Sequence, residues 1–177
     1  MKKSILVLAL LFIFACGFSQ NKLPIFVGFQ PSVTVEKFYD KGEFDINIIP
    51  LVVEFPIAKR IDFRFANVAN YHFGGNNKFS DIGFQILTPI FFKKKNERDF
   101  RSYGFYASPV LGLGYNFRDN HYTATFALEL GYLFETKKRF TLTLGIQLGG
   151  SYLINENSES EWVQHFGFKI NLGFWLR

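Results

Sequence analysis

From Ile25 to the carboxyl terminus, apolar side chains return at every second position in eight successive stretches, the period of a β-strand. The last stretch, His165 to Arg177, shows the pattern most plainly. Phe166, Phe168, Ile170, Leu172, Phe174 and Leu176 alternate there with His165, Gly167, Lys169, Asn171 and Gly173. One side is unbroken and aromatic, while the other holds glycines and isolated charges. That distribution suits a strand with lipid outside and a packed polar lumen inside. An open sheet edge would leave unpaired backbone groups in hydrocarbon, so the final strand is expected to pair with the first and close a barrel.

The first stretch, Ile25 to Glu36, sets Ile25, Val27, Phe29, Val33 and Val35 on its apolar side, and a turn follows at Phe38 to Gly42. In the second, Glu43 to Phe55, the parity breaks near Pro50. A bulge there would send Leu51, Val53 and Phe55 outward and Glu54 inward. Pro56 to Arg60 reads as a tight turn, Ile61 to Phe73 as the third strand and Gly74 to Lys78 as a reversal. The fourth strand carries Ile82, Phe84, Ile86, Ile90 and Phe92 on one side, and the run Lys93 to Asp99 reads as a solvated turn. A fifth strand runs from Tyr103 to Phe117 and reverses over Arg118 to His121. Ala124, Phe126, Leu128, Leu130, Tyr132 and Phe134 mark the sixth, Glu135 to Arg139 the next turn, and Phe140, Leu142, Leu144, Ile146 and Leu148 the seventh. Asn155 to Glu161 leads into the last strand.

Strands of about ten to fifteen residues can cross a bilayer core at the usual tilt. The expected fold is therefore all-β, an eight-stranded antiparallel up-and-down transmembrane β-barrel occupying residues 20–177. A soluble lipocalin-like barrel also has eight alternating strands, but it would have to fit every apolar face into one small lumen. Aromatic residues make up 19% of the chain and 24 of them are phenylalanine, a load that lipid accepts more readily than a small soluble core.

Residues 1–19 carry Lys2 and Lys3, an apolar run from Ile5 to Ala15, and the small residues Gly17 and Ser19. That is the composition of a secretory signal peptide cleaved after Ser19, and the apolar run is short for a transmembrane helix. Cys16, the only cysteine, lies within it, so no disulfide is expected in the mature chain. The alternative is lipidation at Cys16, which follows Ala15 and precedes Gly17. With Lys2 and Lys3 removed from the 20 basic residues, eighteen remain against 15 acidic ones, a net charge of +3. No basic stripe with interleaved aromatics points to nucleic acid.

The signal, the alternating segments and the aromatic final strand together resemble the small eight-stranded outer-membrane β-barrels of Gram-negative bacteria. The start of the mature chain at Gln20 and the ending NLGFWLR are similar to outer-membrane β-barrel proteins of the Bacteroidota type. His165, Gly167, Ile170 and Leu172 match the spacing read by the barrel assembly machinery. The resemblance implies residence in the bacterial outer membrane, with outer-membrane lipids and that machinery as partners.

Candidate chemistry lies on the inward parity. Glu36, Glu54, Asp62, Arg64, Asp81, Glu129 and Lys169 put charges in a lumen too narrow for a wide channel. The expected arrangement is a charge network around Arg64, Glu129, Lys169 and Asp62, completed by Gln85, Gln147 and Asn171, because an unpaired buried charge costs several kcal/mol. An ion path gated by Arg64 or Lys169 is the functional alternative. His72, His121 and His165 all fall at one rim, with Asp45, Asp81 and Ser151 inward at similar depth. A hydroxyl, a base and a carboxylate there could serve a lipid A or phospholipid hydrolase, with Ser151 as nucleophile, His165 or His72 as base and Asp81 or Asp45 as orienting acid. The same histidines with an aspartate could instead hold a divalent metal. No GxSxG elbow flanks them, and no cofactor is implied. The loops at that rim, 38–43, 74–79, 118–121 and 154–161, are short, which argues against a large protein partner. A closed, non-enzymatic envelope barrel is therefore the first expectation, ahead of the rim hydrolase and of a narrow channel for ions or small solutes.

Overall fold

In a computed structural model, residues 24–31, 33–34, 41–75, 77–93, 102–135, 139–155 and 159–176 are described. The leader with Cys16, its junction at Gln20, Glu36, the charged run 94–99 and Arg177 lie outside them. The described chain is all-β, with no helix among the described residues, and its strands close into an eight-stranded antiparallel barrel. The strands are β1 (Ile25–Phe29, resuming at Val33–Thr34), β2 (Phe44–Asn47, resuming at Leu51–Ala58), β3 (Ile61–Phe73) and β4 (Lys78–Leu87, resuming at Ile90–Phe91). They continue as β5 (Gly104–Asn116), β6 (His121–Glu135), β7 (Phe140–Asn155) and β8 (Glu161–Leu176).

Each strand pairs with its sequence neighbours, and β8 returns to β1 with Ile25 opposite Leu176 and Phe29 opposite Leu172. Closure leaves no sheet edge, as the alternation of the final strand required. The parity is as read from the sequence. Phe166, Phe168, Phe105, Leu130 and Leu148 are exposed on the outside, whereas Glu54, Arg64, Glu129, Gln147 and Asn171 are buried inside.

Several boundaries differ from the sequence reading. Pro56 to Ala58 continue β2 and do not form a turn; the reversal is confined to Lys59 and Arg60, with a register shift between Pro56 and Ala58. His121 is the first residue of β6, opposite Asn116 and Asn155, and not part of a loop. Strands β7 and β8 extend past the apolar pattern to Asn155 and back to Glu161. Ladder hydrogen bonds are made by backbone, so pairing can continue where side chains turn polar.

The expected break in β2 falls at Ile48 to Pro50 and is held by two asparagines. Asn47 Oδ1 accepts from the backbone of Ala69 (3.1 Å) and Ile49 (3.2 Å), and Asn67 Oδ1 accepts from Leu51 (2.9 Å). A second irregularity was not foreseen. Asn70 pairs with Asp81 and Tyr71 with Phe79, leaving Ser80 as an extra residue in β4. Ser80 reaches Asp45 in the barrel interior while the next residue, Asp81, also faces a lumenal cavity. Two consecutive residues thus serve one face, which strict alternation forbids.

Candidate functional site

The lumen has three levels. At the end where Ile25 pairs with Leu176 it is mostly apolar, with Asp62, Ser102 and Thr141 as buried polar exceptions. Phe26, Val52, Ala66 and Trp175 form one buried cluster, and Phe91, Tyr106 and Leu133 form another. These residues occupy the inward parity, so the interior is not lined by polar groups and glycine alone. Glycines make room for them: a Cβ on Gly131 would overlap the Tyr106 phenol.

Above this plug lies a hydrogen-bonded belt. Arg64, fully buried, donates through Nε to Glu54 Oε2 at 2.6 Å and through Nη1 to Glu129 Oε1 at 3.1 Å and Tyr106 Oη at 3.2 Å. The Tyr106 hydroxyl donates to the same Glu129 oxygen at 2.5 Å. Gln147 Nε2 donates to Glu129 Oε2 at 2.6 Å, and Gln147 Oε1 lies 3.1 Å from His165 Nε2. The guanidinium bridges two carboxylates from strands that are not adjacent, so the belt spans the bore, although Glu54 Oε1 and Arg64 Nη2 are left without a hydrogen bond. Gly145, next to Glu129, clears space for it, since a Cβ there would sit 3.0 Å from the carboxyl carbon.

Of the four charges expected to form one network, Arg64 and Glu129 are joined directly. Asp62 accepts from the Ser102 hydroxyl and also lies within hydrogen-bond reach of the Glu54 carboxyl, which links it to Arg64. Lys169 lies on the inward face of β8 and feels the negative charge of Glu129, though no hydrogen bond joins the two. Tyr106 was the unrecognised member: its place on the inward parity was legible, but nothing local says that it meets Glu129 across the β5–β6 pair.

Above the belt the lumen opens into a cavity of about 890 Å³ at the rim where Asp119, His121 and Glu161 lie. Asp45, Asp81, His121, Ser151 and His165 all line it. The rim residues singled out from the sequence are thus brought into one cup, but their hydrogen bonds lead elsewhere. Ser151 Oγ pairs with Thr125 Oγ1 at 2.8 Å, and His165 with Gln147. Asp81 accepts from Asn116 at 2.7 Å and from Asn70 at 3.4 Å. None of these bonds joins Ser151, His165 and Asp81 to one another.

His72 is buried and turned away from solvent, with Nδ1 2.7 Å from Asp45 and Nε2 3.7 Å from Glu43. Ser80 donates to the other Asp45 oxygen at 2.7 Å, so this group ties β2, β3 and β4 together at the rim. Among the described residues no three His, Cys, Asp or Glu side chains gather in a way that could hold a metal ion.

Comparison with protein families, with characterised proteins and with solved structures found no match.

Proposed function

We propose that this chain is a small outer-membrane β-barrel of the Gram-negative, Bacteroidota type, which resides in the envelope as a closed, non-enzymatic element in contact with outer-membrane lipid. The observation that carries the reading is the distribution of side chains on the barrel's outside. Phe65, Leu111, Leu128, Leu130, Ile146, Leu148 and Phe168 are exposed along its waist. Aromatic pairs sit toward both ends. Phe55 with Phe63, Phe105 with Tyr132 and Phe140 with Phe174 occupy the end where Ile25 pairs with Leu176, while Phe79 with Phe117, Tyr115 with Tyr122 and Tyr152 with Trp162 occupy the rim. An apolar waist between two aromatic girdles is the surface a bilayer selects, because ring edges tolerate the headgroup boundary and aliphatic groups do not. In water the same surface would be an aggregation hazard.

The occluded bore supports the closed reading over the channel. A permeating ion would have to displace the Arg64 to Glu129 belt and then pass Trp175, Phe26 and Phe91. The hydrolase reading gains no support from residues whose hydrogen bonds bypass each other. Export by the leader of residues 1–19 and insertion by the assembly machinery complete the proposal.

Membrane fractionation of cells expressing the full chain tests it. The protein is expected in the outer-membrane fraction, extractable only by detergent and with heat-modifiable mobility on gels. Recovery from the periplasm without detergent would overturn the reading. Lipid A mass spectra are expected to be identical with and without the protein; acyl loss that depends on Ser151 would favour the hydrolase.

A further inference from the structure

We propose that the cup at the rim is a binding site for a small hydroxylated amine, a class of which an amino sugar is the simplest example. The cup is blind, since the belt closes it below, and about 890 Å³ lies in the roughly 300–1,000 Å³ range of small-molecule sites. Its chemistry is polarised from floor to wall.

The floor offers donors. Gln85 is 8% exposed, and its Oε1 accepts only a long 3.4 Å bond from Gln147. The Gln85 amide nitrogen donates to no described residue, yet the side chain lines the cup. Beside it Thr125 and Ser151, each 7% exposed, share one hydrogen bond. That bond uses one of their two hydroxyl hydrogens and leaves the other for a ligand. Gly112 lets these groups converge, because a Cβ there would sit 3.1 Å from Thr125 and 3.5 Å from Gln85. An acceptor oxygen on a ligand would meet these donors in the place of water.

The wall offers negative charge. Asp81 faces the cup, and its carboxylate is held only by neutral groups, the amides of Asn116 and Asn70 and the Ser80 hydroxyl. Asp119 and Glu161 add carboxylates toward the mouth, and among the described residues no lysine or arginine lines the cavity. An anion is therefore repelled, and an ammonium group gains a charge-assisted bond at Asp81. A bare polyamine satisfies the wall but has no acceptor for the floor. A neutral sugar does the reverse. Only a molecule carrying both groups satisfies the two.

The cup is a property of the closed barrel, so binding in detergent tests it whether or not the envelope reading holds. Titration calorimetry on the full chain would compare glucosamine with glucose, N-acetylglucosamine and spermidine. Glucosamine is expected to bind at least about tenfold more tightly than each of the others, a ratio set by one charge-assisted contact. The N-acetyl sugar removes the charge from the ligand and so needs no protein variant. Asp81→Asn is expected to erase the preference over glucose, and Gln85→Leu to weaken both sugars while leaving spermidine unchanged. Absence of saturable glucosamine binding, equal affinity for glucosamine and N-acetylglucosamine, tightest binding of spermidine, or a folded Asp81→Asn variant that keeps the preference would each overturn the proposal.

Discussion

Replacing Arg64 by methionine keeps most of the side-chain volume but strands the carboxylates of Glu54 and Glu129, which the guanidinium contacts at 2.6 and 3.1 Å. Breaking a buried pair from one side leaves an uncompensated charge and costs about 3–5 kcal/mol, far more than the net worth of the pair. Chemical unfolding of the detergent-folded protein should register a loss of that size for Arg64→Met. A triple variant that also carries Glu54→Gln and Glu129→Gln should recover much of it. Asn47 acts on a smaller scale. Its carbonyl oxygen accepts from the Ala69 and Ile49 backbones and its amide donates to Asn67, so Asn47→Ala orphans groups at the break in β2. The expected cost is about 1–3 kcal/mol by the same unfolding measurement, with the fold retained.

At the level of a strand, the sorting of residues between the two faces carries the energetics. Strand β8 places Phe168 57% exposed on the outside while Asn171, three residues on, is buried in the lumen. A bilayer and a detergent micelle should read that face differently from the lumenal one. Phe168→Arg is expected to lower stability in lipid vesicles by about 2–4 kcal/mol, as a cation held near the bilayer midplane does. Unfolding in vesicles against unfolding in detergent checks this, since a loss of equal size in both would mean that Phe168 does not face hydrocarbon. The two irregularities, at Ile48 to Pro50 and at Ser80, belong to this scale too. The first was readable because proline and a parity change coincide. The second was not, because nothing around Ser80 marks it locally; the extra residue is defined only against its partner, where Tyr71 meets Phe79.

For the whole molecule, closure and occlusion act together. Planar-bilayer recordings should show no conductance for the native chain. Glu129→Ala with Gln147→Ala should remain silent as well, because the apolar plug of Phe26, Trp175, Phe91 and Leu133 lies beneath the belt. Steady conductance in that variant would mean that the belt alone seals the bore. The number of strands, the inward or outward sense of their residues outside the irregularity at Ser80, and the pairing of the last strand with the first were legible from alternation. That is because period two is a local property and closure removes every strand edge. The gathering of His121, His165, Ser151, Asp45 and Asp81 at one rim followed from the same parity and strand count. Which of them bond to which did not. The partners of Arg64 lie 10, 42 and 65 residues away in sequence, and Ser151 meets Thr125 and not His165. Those pairings depend on how far each strand is staggered against the next around the closed barrel, a quantity no single strand contains.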